Sequence, residues 1–186
     1  MFVSCATVQS VLFQKELRVK VILVCGPIGV GKTTYSISLA KKLGAIRFSI
    51  DSWMQTLFTK DMRSLDYSWM IERVERCYQQ IWQMSEQILV LGGVVVLDLG
   101  FTTNAQRSLF VGLADNIGTN SEIHYLSAPV DIRRARVKQR NIDKDPNLYS
   151  FEVTDFMFDF MEARFEIPDE SELHDGQEII NDGSVT

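Results

Sequence analysis

The chain has 186 residues, of which 46% are hydrophobic and 23% are charged, a composition typical of a globular protein. The length suits one domain, and no run approaches the roughly eighteen uncharged apolar residues that a membrane helix needs. The net charge of −5 argues against a general nucleic-acid coat, because such binding depends on Lys and Arg neutralising phosphates. A local basic site is still compatible with it.

Residues 1–17 precede the first predicted element, and Phe2–Phe13 within them is mildly apolar. We predict a leader or an extra edge element there rather than a secretory signal, followed by a single domain over residues 18–186. The three cysteines, Cys5, Cys25 and Cys77, lack the spacing of metal ligands or redox pairs. This cysteine usage favours a reducing cytoplasm without disulfides.

The predicted elements alternate between strand and helix. Val19–Cys25 is an almost continuous apolar run, as expected of a central parallel strand. A glycine-rich turn follows, and then a helix over Thr33–Leu43 that ends at Gly44. Ala45–Ile50 is a short second strand, with Asp51 at its carboxyl end.

The second half of the chain continues the alternation. A long helix is predicted over Ser68–Leu91, where apolar residues recur at spacings of three and four. Its predicted apolar face consists of Met70, Val74, Cys77, Ile81, Met84, Ile88 and Leu91. The further strands are Val94–Leu97, Glu122–Leu126 and Gln177–Asn181, and the further helices are Ala105–Asn116, Asp131–Asn141 and Thr154–Phe165. This order implies a parallel three-layer α/β domain, in which ligands gather at the carboxyl ends of the strands.

The segment from Gly26 to Thr33 matches the phosphate-loop pattern G-x-x-x-x-G-K-[ST]. Glycines let backbone N–H groups turn toward phosphate oxygens, and the following helix adds the positive end of its dipole. Lys32 can reach the β- and γ-phosphates, and the Thr33 hydroxyl can bind Mg²⁺. The predicted ATP-binding residues of the loop are Gly26, Ile28, Gly29, Val30, Gly31, Lys32, Thr33 and Thr34. A chance glycine-rich turn is the alternative, but the position between a buried strand and a helix favours nucleotide binding. The sequence has no N-K-x-D segment of the kind that GTPases use to recognise the base, so we expect ATP.

Two aspartates end predicted strands beside this loop. Asp51 is predicted to be the general base that takes a proton from the acceptor hydroxyl, with a helix N-cap as the alternative or additional role. Asp98 ends the run VVVLD and is predicted to hold Mg²⁺ together with Thr33, directly or through a water. A plain turn aspartate is the alternative for Asp98.

The predicted helix Asp131–Asn141 is strongly basic. Its cations are Arg133, Arg134, Arg136, Lys138 and Arg140. Arg136 and Arg140 are four residues apart and share a helix face, and guanidinium groups near a triphosphate would stabilise the charge of the transferred group. Most charge runs are solvated helix faces. Beside a phosphate loop, and followed by the loop Asn141–Asn147, a phosphate-clamping lid is the better interpretation.

These segments resemble the small P-loop kinases and ATPases that include zeta toxins, chloramphenicol phosphotransferase and polynucleotide 5′-kinase. The resemblance covers most of the chain from Val19 to about Glu172 and rests on GPIGVGKTT, FSIDSWM, VVVLDLGFTTNAQR, HYLSAPVDIRRARVKQRN and FMFDFMEARFEIPDE. It implies a P-loop NTPase fold with a five-stranded parallel sheet in the order 2-3-1-4-5 and a helical lid. It also implies that Asp51 is the general base and that Arg136 and Arg140 bind phosphates.

We therefore expect an ATP-dependent kinase that uses Mg²⁺ and moves the γ-phosphate of ATP to a hydroxyl of an unidentified small molecule. The predicted catalytic residues are Lys32, Asp51, Arg136 and Arg140. A nucleotide or nucleic-acid 5′-hydroxyl is a less favoured acceptor, because polynucleotide kinases usually carry an arginine three residues after the base and this chain has Met54. A regulatory module that binds or hydrolyses ATP without an acceptor is the alternative from a different class. We expect no membrane partner.

Overall fold

The structure is a computed structural model, and it describes residues 20–58, 60, 67–145, 149 and 151–183. The predicted leader over residues 1–17 lies outside the described residues. Within them the elements are β1 (Lys20–Cys25), α1 (Lys32–Leu43), β2 (Ile46–Ser49), α2 (Ile50–Phe58), α3 (Tyr67–Val90), β3 (Val94–Asp98), α4 (Asn104–Asn116), β4 (Asn120–Ser127), α5 (Val130–Asp143), α6 (Asp155–Glu162) and β5 (Gln177–Ile180).

The strands form one parallel sheet in the order β2-β3-β1-β4-β5, which confirms the predicted topology. Because all strands run the same way, their carboxyl ends share one edge. The register places Ser49, the last residue of β2, beside Asp98, the last residue of β3. The phosphate loop and both predicted aspartates therefore lie at the same edge of the sheet.

The sheet is covered on both faces, as the continuous apolar pattern of β1 predicts. Leu23 of β1 belongs to a cluster with Ile81 of α3 and Phe110 of α4. Val24, the next residue, points to the opposite face and packs in a cluster with Ala40 of α1. No helix in the described part of the chain is long and apolar enough to cross a membrane.

Helix α2 begins earlier than the sequence pattern indicated, since the pattern placed a strand over Ala45–Ile50 and an alternative helix N-cap at Asp51. The strand ends at Ser49, and Ile50 already begins the helix. The Ser49 hydroxyl accepts a hydrogen bond from the backbone N–H of Ser52 at 3.4 Å. Ser49 therefore caps this helix, and Asp51 lies in the first turn rather than at the cap.

The apolar face predicted for the long helix is correct only in part. Ile81 is fully buried, but Met84 is 39% exposed and Leu91 is 80% exposed. Trp82 and Leu89 occupy core positions instead. Leu91 lies in the turn after the helix, so the helical spacing no longer applies to it.

A hydrogen-bonded polar network lies beneath α1. Nδ1 of His124, a β4 residue only 4% exposed, lies 2.8 Å from the Tyr35 hydroxyl. Its Nε2 lies 3.3 Å from Glu122, which also accepts a hydrogen bond from Lys20 at 2.8 Å. Burial lowers the pKa of His124 from its ordinary value of 6.5, although the hydrogen bond and charge of Glu122 oppose the shift.

The lowered pKa of His124 makes the stability of the fold dependent on pH. Below the unfolded pKa of about 6.5 the unfolded chain binds more protons than the folded chain, so the free energy of unfolding should decrease as the pH falls through this region. Urea unfolding at about pH 7.5 and about pH 5.5 measures the decrease. We expect a smaller decrease in His124→Gln, and an equal decrease in both proteins would contradict the assignment.

Candidate active site

The phosphate loop connects β1 to α1, and three of its glycines lie where no side chain fits. A Cβ atom would lie 2.5 Å from Leu126 O at Gly26, 2.5 Å from Arg133 O at Gly29 and 2.7 Å from Asn181 Nδ2 at Gly31. Gly29 and Gly31 also have φ values of 77° and 97°, in the left-handed region that favours glycine. The loop is thus packed closely against β4, α5 and the segment after β5.

Lys32 is held inside the loop that it follows. Its Nζ donates hydrogen bonds to the carbonyl oxygens of Gly26 at 2.7 Å and Pro27 at 3.0 Å. Burial lowers the pKa of Lys32, and the negative charges of Asp98 and Asp51 oppose that shift. The ammonium group therefore lies near both predicted acidic residues.

Asp51 lies where the charges of the site converge. Asp51 as a whole residue is exposed to solvent, but its carboxyl group is surrounded by protein and is partly desolvated. This desolvation, together with the like charge of Asp98, raises the pKa of Asp51, and Lys32 and Arg140 act in the opposite direction. Asp51, Lys32 and Arg140 are thus close enough for their charges to act on one another, and their predicted catalytic roles stay predictions.

Arg140 is the cation of the basic helix that lies toward Asp51. Its Nε is buried and has no hydrogen-bond partner among the described residues. Burial lowers the pKa of Arg140, and the charge of Asp51 is the largest influence against the shift. A buried guanidinium nitrogen without a partner is costly, so an anionic group arriving here would be strongly favoured.

Arg136 lies on the same helix but contacts a different part of the molecule. It donates hydrogen bonds to the backbone oxygen of Asn181 at 3.0 Å and to its side-chain oxygen at 3.4 Å. The Asn181 amide in turn donates to Val30 O of the phosphate loop at 2.7 Å. Arg136 therefore supports the loop through Asn181, and its predicted phosphate contact stays a prediction.

Two further cations of α5 are paired with carboxylates of α6. Arg133 makes two hydrogen bonds of 2.6 Å to Glu162 and a third, of 3.2 Å, to Ile28 O in the phosphate loop. Arg134 binds Asp155 at 3.2 Å and Asp159 at 2.6 Å. The carboxylates of α6 thus neutralise Arg133 and Arg134, and Arg133 joins the helical pair α5–α6 to the phosphate loop. Residues 146 and 147 of the predicted lid lie outside the described residues.

Asp98 is engaged by two donors from neighbouring elements. Its Oδ2 accepts hydrogen bonds from the Ser36 hydroxyl at 2.9 Å and from Arg47 Nη2 at 2.6 Å. Among the described residues no group of three or more His, Cys, Asp or Glu side chains could hold a metal alone. Thr33 and the second oxygen of Asp98 are too few for a free ion, but they fit Mg²⁺ that keeps phosphate oxygens and waters as further ligands.

The model of a protein family described as AAA domain matches residues 21–168, about four fifths of the chain. The chain belongs to this AAA domain family. No curated protein matches the chain.

Solved structures with this fold include several kinases. A candidate kinase of Chloroflexus aurantiacus has a TM-score of 0.69 at 17% identity, covering 88% of this chain and 89% of that chain. Kti12 of Chaetomium thermophilum, in complex with ADP-AlF3, has a TM-score of 0.65 at 18% identity, covering 88% and 89%. The Mycobacterium tuberculosis APS kinase CysC, in complex with AMPPNP and APS, has a TM-score of 0.57 at 16% identity, covering 90% and 91%. The chain therefore has the P-loop NTPase fold that these structures share, which agrees with the resemblance seen in its motifs.

Sequence reasoning missed three residues of this AAA domain site, Ser36, Arg47 and Asn181. Arg47 could have been identified from the sequence, because a charged residue in a short buried strand requires an acidic partner nearby. Ser36 and Asn181 could not have been identified in this way, since a serine in a helix and an asparagine after a strand are common at solvent-exposed positions.

The close approach of Gly29 to α5 can be tested by adding a methyl group. Gly29→Ala should lower the free energy of unfolding for two reasons. The new Cβ would clash with Arg133 O, and the φ of 77° is unfavourable for alanine. Gly118→Ala is the matched control, since its φ is 66° but no heavy atom lies within 4 Å of the added Cβ. Urea denaturation should show a loss about 1–3 kcal/mol larger for Gly29→Ala than for the control. Equal losses would contradict the close contact.

Proposed function

We propose that the chain is an Mg²⁺-dependent phosphotransferase that moves the γ-phosphate of ATP to a hydroxyl group of a small molecule. The observation that carries the proposal is the convergence of Lys32, Asp51 and Arg140 at the carboxyl edge of the sheet. A site that only binds nucleotide has no need of a carboxylate beside the two cations. A site for transfer to a hydroxyl needs one.

Each of these side chains has a task in the proposed reaction. Lys32 exchanges the carbonyl oxygens of Gly26 and Pro27 for phosphate oxygens, and Arg140 places its unpartnered Nε against the transferred group. Both cations then stabilise negative charge that builds up on the phosphates. Thr33 and Asp98 would hold Mg²⁺, which would supply further neutralisation of the phosphate charge.

Asp51 acts on the acceptor. The acceptor oxygen forms a bond to the γ-phosphorus, the bond from that phosphorus to the bridging oxygen breaks, and ADP leaves. The hydroxyl proton passes to the Asp51 carboxylate. Because desolvation raises the pKa of Asp51, this carboxylate is a stronger base than an exposed aspartate would be.

The ion pairs between α5 and α6 favour a small acceptor over a nucleic-acid end. Arg133 and Arg134 are occupied by carboxylates of α6 and offer little to a phosphate backbone. Met54 stands where polynucleotide kinases usually have an arginine. The APS kinase that shares this fold was solved with AMPPNP and APS, which is not a nucleic-acid end. We place the reaction in the cytoplasm, because Cys25 and Cys77 are free buried thiols.

Lys32→Ala should abolish stabilisation by ATP. At a hundredfold excess over its dissociation constant, ATP with Mg²⁺ should stabilise the wild type by about 2.7 kcal/mol, seen as a rise in Tm. Lys42→Ala is the matched control, because Lys42 is exposed in the last turn of the same helix. A full rise in Tm for Lys32→Ala would place the nucleotide elsewhere.

Asp51→Asn should stop transfer while leaving ATP binding intact, since the amide cannot accept the proton. Wild-type protein incubated with γ-labelled ATP and a panel of metabolites, nucleosides and oligonucleotides should label a small molecule. With that acceptor, Asp51→Asn should lower kcat by about 10²–10⁴-fold, whereas the exposed Asp115→Asn should not. Labelling of oligonucleotide ends would support the alternative acceptor. Release of free phosphate alone would support an ATPase without an acceptor, and an unchanged kcat would remove Asp51 as the base.

A further inference from the structure

Arg47 carries its charge into the interior between the sheet and α1. Side chains of β2 alternate between faces, so Phe48 joins the core on the α3 side while Arg47 reaches the α1 side. The Arg47 side chain is 17% exposed and that of its partner Asp98 is 7% exposed. An ion pair so withdrawn from water must be well hydrogen-bonded to persist.

The guanidinium group of Arg47 fixes Asp98 in one orientation. Its Nη2 donates to Asp98 Oδ2 at 2.6 Å, while its Nε donates to the Ser36 hydroxyl at 2.7 Å. Ser36 donates to the same Oδ2 at 2.9 Å. The planar guanidinium therefore spans two linked partners, which a lysine could not do with the same geometry. These donors occupy Oδ2 of Asp98, and no described residue donates a hydrogen bond to the other oxygen, which is left for the site.

Arg47 also sets the charge of the site before nucleotide arrives. Among the described residues, the charges that act on Asp51 are those of Asp98, Lys32, Arg140 and Arg47. With Asp51 itself, three cations and two carboxylates leave a net charge of +1. Such a site attracts a triphosphate and repels a bare divalent cation. Without Arg47 the net charge would be zero and Asp98 Oδ2 would lose its charged partner.

We propose that Arg47 is a positioning residue that holds and neutralises Asp98, so that Mg²⁺ is taken up only together with the phosphates. The inference rests on the proposed function, because it assigns Asp98 to the metal. Arg47 does not touch the nucleotide. It acts by keeping one carboxylate oxygen available and by preventing that carboxylate from binding a metal on its own.

Binding of Mn²⁺, used as a spectroscopic probe for Mg²⁺, tests this role without any turnover. Electron paramagnetic resonance should show weak Mn²⁺ binding to the nucleotide-free wild type and binding at least about tenfold tighter to Arg47→Met, a difference of about 1.4 kcal/mol. Calorimetry should also show that Mg²⁺ strengthens ADP binding less in Arg47→Met than in the wild type. A purely structural Arg47 would lower Tm in the variant and change neither metal result.

Lys20→Met is the matched control, because it removes an ion pair, to Glu122, from the opposite end of the sheet. It should leave Mn²⁺ affinity unchanged. If Arg47→Met does not fold, Arg47→Gln removes the charge but retains donors, and tighter Mn²⁺ binding is again expected. Unchanged Mn²⁺ affinity in the folded variant, with ADP binding intact, would overturn the role of Arg47 alone. Failure of the wild type to bind ADP with Mg²⁺ would instead reject the proposed function.

Discussion

The close packing of the phosphate loop against three other elements is the constraint on which the site depends. Gly26 lies against Leu126 O, and Gly29 lies against Arg133 O, so neither position has room for a side chain. The loop is thereby fixed relative to β4 and to α5 before any ligand arrives. Because the backbone of a fixed loop needs little rearrangement on binding, the main change that phosphates require is at the Lys32 side chain, which must exchange the carbonyl oxygens of Gly26 and Pro27 for phosphate oxygens.

The same packing explains the division of work among the arginines of α5. Arg133 forms an ion pair with Glu162 and donates a hydrogen bond to the backbone of the loop. Arg136 donates hydrogen bonds to Asn181. Arg140, one turn further along, has a buried nitrogen without a described partner and lies near Asp51. A helix that looks uniformly basic in sequence therefore contains structural cations and one cation suited to an anionic ligand.

Much of the fold was predictable, because the phosphate-loop pattern is local and the alternation of strands and helices restricts the topology. The start of the helix after β2 was predicted too late, because Phe48, Ser49 and Ile50 continue the alternation of a strand, whereas the hydrogen bond from Ser52 N–H to the Ser49 hydroxyl places the cap at Ser49. The pairing of Arg47 with Asp98 was also missed. These residues are 51 positions apart and meet because β2 and β3 are neighbours in the sheet, which composition and periodicity do not specify.

A crystal structure with a non-hydrolysable ATP analogue and Mg²⁺ would test the central claim most directly, that the loop presents the γ-phosphate to Asp51 and Arg140. We expect Lys32 Nζ to leave the carbonyl oxygens of Gly26 and Pro27 for phosphate oxygens, and Arg140 Nε to gain a phosphate partner. The Asp51 carboxylate should face the γ-phosphate across a space that an acceptor hydroxyl can fill. A nucleotide bound while Lys32 keeps both carbonyl contacts, with its γ-phosphate remote from Asp51, would contradict the claim.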